Sequence, residues 1–192
     1  DNVTISEIDG NIVIETKKSK IKLKCNPYED FPTIPVVTGN SFSIESKKIL
    51  DGIKSVYYSS AVSDIKPEIS SVYLYSNEDN LVFVSTDSFR LAEKKIKVKN
   101  LPENINILIP FKNIPEILRT FGENSDEIKV FFNKNQISMS CDGVYLTSRI
   151  IDGIFPDYRQ IMPKESKTEA IVLKQDLLNA LKLSNIFSDK FT

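Results

Sequence analysis

Residues Ser41–Ala61 read SFSIESKKILDGIKSVYYSSA. Ser41–Glu45 alternates polar and apolar side chains, the period-two pattern of a strand with one buried face. Ser46 then offers a helix cap, and Ile49, Leu50, Ile53, Val56, Tyr57 and Ala61 follow at helical spacing. The opposite helix face carries Lys47, Asp51, Lys54 and Tyr58. Three strand-like runs come next, near Ile69–Tyr75, Leu81–Thr86 and Arg90–Val98, the first two joined by the turn Asn77-Glu78-Asp79-Asn80. The order then repeats. Ile105–Ile109 predicts a strand, and Asn113 predicts a cap for a helix with Pro115 in its first turn and Ile114, Ile117, Leu118 and Phe121 on one face. Strands Glu127–Asn133, Gln136–Cys141 and Val144–Ile151 complete the block, with turns at Lys134-Asn135 and Asp142-Gly143. Two βαβββ units in tandem make one α+β domain.

Before this domain, Val3–Ile8, Ile12–Thr16 and Ile21–Cys25 read as an antiparallel meander. Asn26–Pro35, with prolines at Pro27, Pro32 and Pro35, reads as a linker, because proline lacks an N–H and resists regular structure. After the domain, Asp152-Gly153-Ile154-Phe155-Pro156-Asp157 echoes Glu29-Asp30-Phe31-Pro32 of that linker. Glu169–Leu173 is strand-like, and Leu177–Lys182 matches Ile49–Lys54 in pattern. The expected organisation is the tail of one domain over residues 1–36, a complete domain over 37–165 and the head of a third over 166–192. The chain starts at Asp1 rather than Met and runs through Asp189-Lys190-Phe191-Thr192 just after an amphipathic segment, so it reads as a fragment. Repeated domains of this kind build arcs or rings.

Composition narrows the chemistry. With 192 residues, 41% of them hydrophobic and 27% charged, the chain suits a soluble protein with a buried core, and no run approaches the roughly 18 apolar residues of a membrane span. The absence of histidine removes the commonest general acid/base and metal ligand. Cys25 and Cys141 match no metal or redox spacing and read as reduced, half-buried strand residues. Glu29, Asp87 and Asp157 stand as lone carboxylates without a Gly-rich phosphate loop or an activated nucleophile, so neither an enzyme nor a cofactor or metal is expected. A net charge of −1 gives no gross basic excess, so any contact with nucleic acid rests on local placement of charge. A β-rich interaction module unrelated to DNA fits the tandem units and the balanced charge equally well.

Two signatures in register point further. Ser85-Thr86-Asp87-Ser88-Phe89-Arg90-Leu91-Ala92 resembles the ATDGHRLA signature of bacterial DNA polymerase sliding clamps, and Ile151-Asp152-Gly153-Ile154-Phe155-Pro156-Asp157-Tyr158 resembles their VDGRFPDY. Their spacing and Lys66-Pro67 ahead of the first strands match the family as well, and the resemblance extends over essentially the whole chain. It implies a DNA-clamp (processivity) fold with helices on the inner face and antiparallel sheets outside. It further implies a non-catalytic DNA polymerase III beta subunit of three such domains, two subunits closing head to tail as a homodimeric ring around double-stranded DNA. The implied setting is the bacterial cytoplasm, in association with the nucleoid. The implied partners are replicative polymerase, clamp loader and repair proteins, held through short linear motifs.

The resemblance also assigns residues. Lys66 and Lys112 match basic positions that face DNA, and the polar helix faces add Lys47, Lys54 and Arg119, with Lys112 and Arg119 seven residues apart and so on one side. Phe111 stands where the family often has a second basic residue. A peptide pocket between the middle and third domains would include Ile69, Thr86, Ser88, Phe89, Arg90, Leu91, Pro156, Gln160 and Ile161. Ser88, Phe89 and Gln160 depart from the family's common glycine, histidine and arginine, which implies an altered motif preference. Read without the family, the basic residues are solvated helix surface, Leu91 and Ile161 are core, and Arg90 pairs with Asp87 or Asp157 to hold a turn.

Overall fold

The computed structural model describes residues 2–63, 65–122, 126–163 and 165–187. The chain divides after Phe155 into two compact units. The first begins with the expected meander: β1 (Thr4–Ile8), β2 (Asn11–Glu15) and β3 (Lys20–Lys24), all antiparallel. Asp9 and Gly10 both take positive φ, which is what a two-residue hairpin turn demands. Register aligns Ile5, Ile14 and Ile21 in one row and Glu7, Ile12 and Leu23 in another, so one face is largely apolar, and the other carries Lys20, Lys22 and Lys24 with the buried Val13 among them. Cys25 lies just past β3 rather than within it. In the linker the only regular piece is a single 3-10 turn at Tyr28–Asp30.

The rest of the first unit follows the predicted order: β4 (Asn40–Glu45), α1 (Ser46–Val56), β5 (Ser71–Asn77), β6 (Asn80–Thr86) and β7 (Leu91–Lys97), then β8 (Asn106–Pro110), α2 (Ile114–Thr120), β9 (Glu127–Phe132), β10 (Gln136–Cys141) and β11 (Val144–Arg149). The two halves exchange their leading strands. β4 pairs with β9, giving a sheet of order β11-β10-β9-β4, and β8 pairs with β5, giving β7-β6-β5-β8. Both exchanged pairings are antiparallel, and each half donates one strand to the sheet edge of the other.

A single core results. Phe42 and Ile44 of β4, Ile49, Leu50, Ile53 and Val56 of α1, Leu74 and Phe83 of the first sheet half, Ile107 and Ile109 of β8, Ile114 and Ile117 of α2, and Val130, Ile137 and Met139 of β9 and β10 all belong to one buried cluster. α1 lies across β6 and β7. Its closeness has a visible cause: a Cβ on Gly52 would stand 2.5 Å from the ring of the fully buried Phe83. Glycine here exchanges helix propensity for a short distance between helix and sheet.

Two predicted caps serve other partners. Glu45, not Ser46, holds the cap position of α1, no side chain caps it, and the Ser46 hydroxyl donates to the Phe121 carbonyl at 3.4 Å instead. Asn113 does precede α2, but it closes a 3-10 turn over Phe111–Asn113 and is already helical. Its amide donates to the Ser148 hydroxyl at 2.7 Å, tying α2 to β11. Ser46 is buried against the opposite half and Asn113 is half-buried against β11 of its own, so both side chains find tertiary partners in place of the local cap bonds. In the second unit α3 spans Lys174–Asn185. The predicted strand at Glu169–Leu173 is absent: these residues pair with no strand among the described residues, and an extended run alone is not a strand. Residues 188–192 of the predicted third-domain segment lie outside the described residues.

Gly52→Ala sets two terms against each other. Helix propensity favours alanine by about 1 kcal/mol, while forcing a methyl into a filled core costs about 1–3 kcal/mol. With a buried aromatic ring as the obstacle, the clash prevails. Urea unfolding is expected to show a net loss of about 1 kcal/mol, and a gain in stability would show that Phe83 can yield.

Candidate functional site

α1 turns Ile49, Leu50, Ile53 and Val56 inward and leaves Lys47, Asp51 and Lys54 exposed. α2 does the same with Ile114 and Ile117 inside and Arg119 exposed. The Arg119 guanidinium is engaged by Glu116, with Nη2 2.6 Å and Nε 3.1 Å from the same carboxylate oxygen. That pair is solvent-exposed, so it is weak and open to competition from another anion. Lys112 sits in the 3-10 turn before α2, so the seven-residue helical spacing does not relate it to Arg119.

The segments that carry Lys66 and Lys112 are tied together by backbone hydrogen bonds. The Lys66 carbonyl accepts the Ile69 and Ser70 N–H groups at 3.2 and 3.1 Å, closing a turn around Pro67. The Ser70 carbonyl in turn accepts the Phe111 N–H at 2.9 Å. Pro67, Ser70, Phe111 and Lys112 line a common small cleft. Phe111, standing where the family often has a basic residue, stacks on Tyr57 with centroids 6.3 Å apart and so joins the end of α1 to the start of α2. Both lysines are exposed.

The first signature forms a rigid turn. Asp87 Oδ1 accepts the Phe89 and Arg90 N–H groups, each at 3.0 Å, and Oδ2 accepts Arg90 Nε–H at 3.0 Å. Thr86 Oγ1 accepts the Ser88 N–H at 3.1 Å and donates to the Arg90 carbonyl at 2.8 Å. Ser88 consequently takes φ +77°, a left-handed conformation that a non-glycine residue keeps only when its surroundings hold it. The Arg90 guanidinium also stands 6.0 Å over the Tyr58 ring. Phe89 at the tip is 99% exposed, Leu91 is half-buried, and Ile69 and Thr86 are buried. An Asp followed by backbone donors two and three residues on is a recognisable turn-former, and Arg90 pairs with Asp87, one of the two partners the sequence offers it. The Asp87 carboxyl is held below its ordinary value of 3.8, chiefly by the Arg90 N–H, with further help from the Phe89 N–H and the guanidinium.

Pro156, Gln160 and Ile161 belong to the second unit. Residues Tyr158–Gln160 form a 3-10 turn, Gln160 Nε2 donates to Asp157 Oδ2 at 2.8 Å, and Pro156, Gln160 and Ile161 are all exposed. Ile161 is therefore not a core residue, being 74% exposed. No cluster of three or more Cys, Asp or Glu side chains able to hold a metal occurs among the described residues. Nor is any described helix long and apolar enough to cross a membrane.

Residues 43–157, more than half of the chain, match the family model described as the DNA polymerase III beta subunit, central domain. The chain belongs to the DNA polymerase III beta subunit family. Among curated relatives, the beta sliding clamp of Staphylococcus aureus is 24% identical over 177 residues, covering 92% of this chain and 47% of the relative. That of Streptococcus pneumoniae is 26% identical over 186 residues, covering 93% and 49%. The chain thus spans about half the length of the curated relatives it matches. The crystal structure of the Bacillus subtilis sliding clamp superposes with a TM-score of 0.89 at 24% identity, covering 98% of this chain and 50% of that one, which shows the clamp fold. A Pseudomonas aeruginosa sliding clamp with ligand gives 0.78 at 26% identity, covering 86% and 46%.

In this beta-subunit central domain the Asp87 turn carries a pH signature. Because the folded carboxyl titrates below its unfolded value, the turn gains stability above about pH 3.8 and loses it as pH falls through the lower folded value. Carboxyl-carbon NMR titration is expected to place Asp87 below 3.8. A midpoint at or above that number would mean the three donors do not hold it in solution.

Proposed function

We propose that this chain is the working middle of a DNA sliding clamp: a processivity subunit, non-catalytic, that as a full-length homodimeric ring encircles duplex DNA and tethers polymerase and other replication or repair proteins. Residues 37–165 are its complete middle domain, with the tail of the first at 1–36 and the start of the third at 166–192. The observation that carries the reading is that α1 and α2 anchor one face each in the common core and leave Lys47, Lys54 and Arg119 outward, in a member of the beta-subunit family. Lys66 and Lys112, whose backbones are linked through Ser70 and Phe111, add two further exposed cations.

A clamp does not need tight binding. A closed ring is retained by topology, and movement along DNA requires each phosphate contact to stay weak. Every lysine near a phosphate adds a modest, salt-screened attraction, and a helix lying across the grooves reads no bases. A net charge of −1 with a few outward cations suits that balance. Partner recognition falls to Ile69, Thr86, Ser88, Phe89, Arg90, Leu91, Pro156, Gln160 and Ile161. There the apolar members would bury a partner's Leu or Phe while Arg90 serves the rim, and the buried Thr86 hydroxyl, bonded to Ser88 and Arg90, holds the turn that presents it. Gln160, uncharged and hydrogen-bonded to Asp157, gives the pocket less attraction for an acidic motif than an arginine would.

The full-length protein loaded on circular DNA tests this reading. It is expected to remain bound until the circle is cut and then to slide off, whereas an escape rate indifferent to linearisation would leave ordinary binding as the account. Titrating the same protein with a labelled clamp-binding peptide gives a second readout: Gln160→Arg is expected to change the affinity, and an unchanged value removes the altered motif preference.

A further inference from the structure

Between Val36 and Val37 the linker changes character. Phe31 is 71% exposed and Val36 78%, yet Val37 is 3% exposed. At that point one side chain from β11 grips the passing backbone twice. The Tyr145 hydroxyl accepts the Val37 N–H at 3.0 Å and donates to the Pro35 carbonyl at 3.0 Å. One oxygen thus uses both its donor and an acceptor site on residues two apart, fixing the stretch between them.

Downstream contacts extend the hold. Asn133 Nδ2 donates to the Thr38 carbonyl at 3.3 Å. Gly39 has φ +143°, and a Cβ there would sit 2.5 Å from the Phe132 carbonyl, so the chain passes flush against the end of β9 before β4 begins at Asn40. Tyr145 lies on one edge strand of the sheet and β4 on the other. Residues 35–39 are therefore a strap from edge to edge. The distance fits: four strands span roughly 14 Å, and five extended residues reach about 16 Å. Ser138 shares the Tyr145 face by register, and it is buried on a face whose neighbours Tyr145 and Arg149 are exposed.

We propose that the Tyr145 hydroxyl is a releasable latch that sets where the pliable linker ends. With both bonds made, the pivot between the meander and the four-stranded sheets lies upstream of Pro35, among prolines and exposed side chains. With them broken, the free segment lengthens toward Thr38, where Asn133 still holds the chain, and the meander gains angular range. The two Tyr145 bonds are polar and local, beside the apolar anchor of buried Val37, so they can open without unfolding the sheet. This inference stands whether or not the chain acts as a clamp.

Tyr145→Phe in the present chain removes both bonds and keeps the ring. Hydrogen exchange is expected to show the Val37 amide exchanging roughly tenfold faster, the loss of about one hydrogen bond's protection, while the amides of Val130 and Met139 keep their rates. Distances between spin labels on β2 and β10 are expected to broaden. A Val37 rate within about twofold of the parent overturns the proposal. So does acceleration spread across β9–β11, or failure of the variant to fold, since the hydroxyl would then serve the sheet rather than the strap.

Discussion

The crossing of β4 to β9 and of β8 to β5 governs the rest of the molecule. Each strand leaves the helix that follows it in sequence and completes the sheet of the opposite half, so neither βαβββ block can satisfy its backbone alone. The register rows then direct Phe42, Ile44, Ile107 and Ile109 into one cluster with both helices. Because α1 and α2 are packed into a shared core instead of two separate ones, their outward faces are fixed relative to each other.

The two candidate regions differ in kind. The basic region is sparse: Lys47 and Lys54 on α1, Lys66 and Lys112 at the Ser70–Phe111 junction, and Arg119 shared with Glu116. The Thr86–Leu91 turn is dense, with Asp87 and Thr86 between them bonding almost every polar group in reach. It gives up conformational freedom in advance, so that a partner peptide would lose less on docking. Phe89, presented on that turn, replaces the histidine common in the family.

Legibility in the sequence follows the range of the interactions. Helical spacing from Ile49 to Val56 and strand alternation from Gln136 to Cys141 are local and both are realised, although α1 passes into a 3-10 turn at Tyr57–Ser59 and stops short of the expected Ala61. The Asp87 turn is local too, so its signature is recognisable before its geometry. Ser46 and Asn113 do mark the two helix starts, yet their side chains bond to Phe121 and Ser148, 75 and 35 residues away, which no cap rule anticipates. The exchanged strands are invisible for the same reason: order along the chain does not state which edge a strand joins. Tyr145 reads as an ordinary strand residue because its partners lie 108 and 110 residues earlier. Glu169–Leu173 has the pattern of a strand but no partner among the described residues, and pattern alone does not make a sheet.

Native-state hydrogen exchange under increasing denaturant tests the shared core most directly. The amides of Ile44 on β4, Leu74 on β5, Ile107 on β8 and Val130 on β9 are predicted to converge on one opening with one free energy and one denaturant dependence. Two separate openings, one for residues 41–98 and another for 105–149, would contradict it, because each half would then hold its own structure without the other's strand.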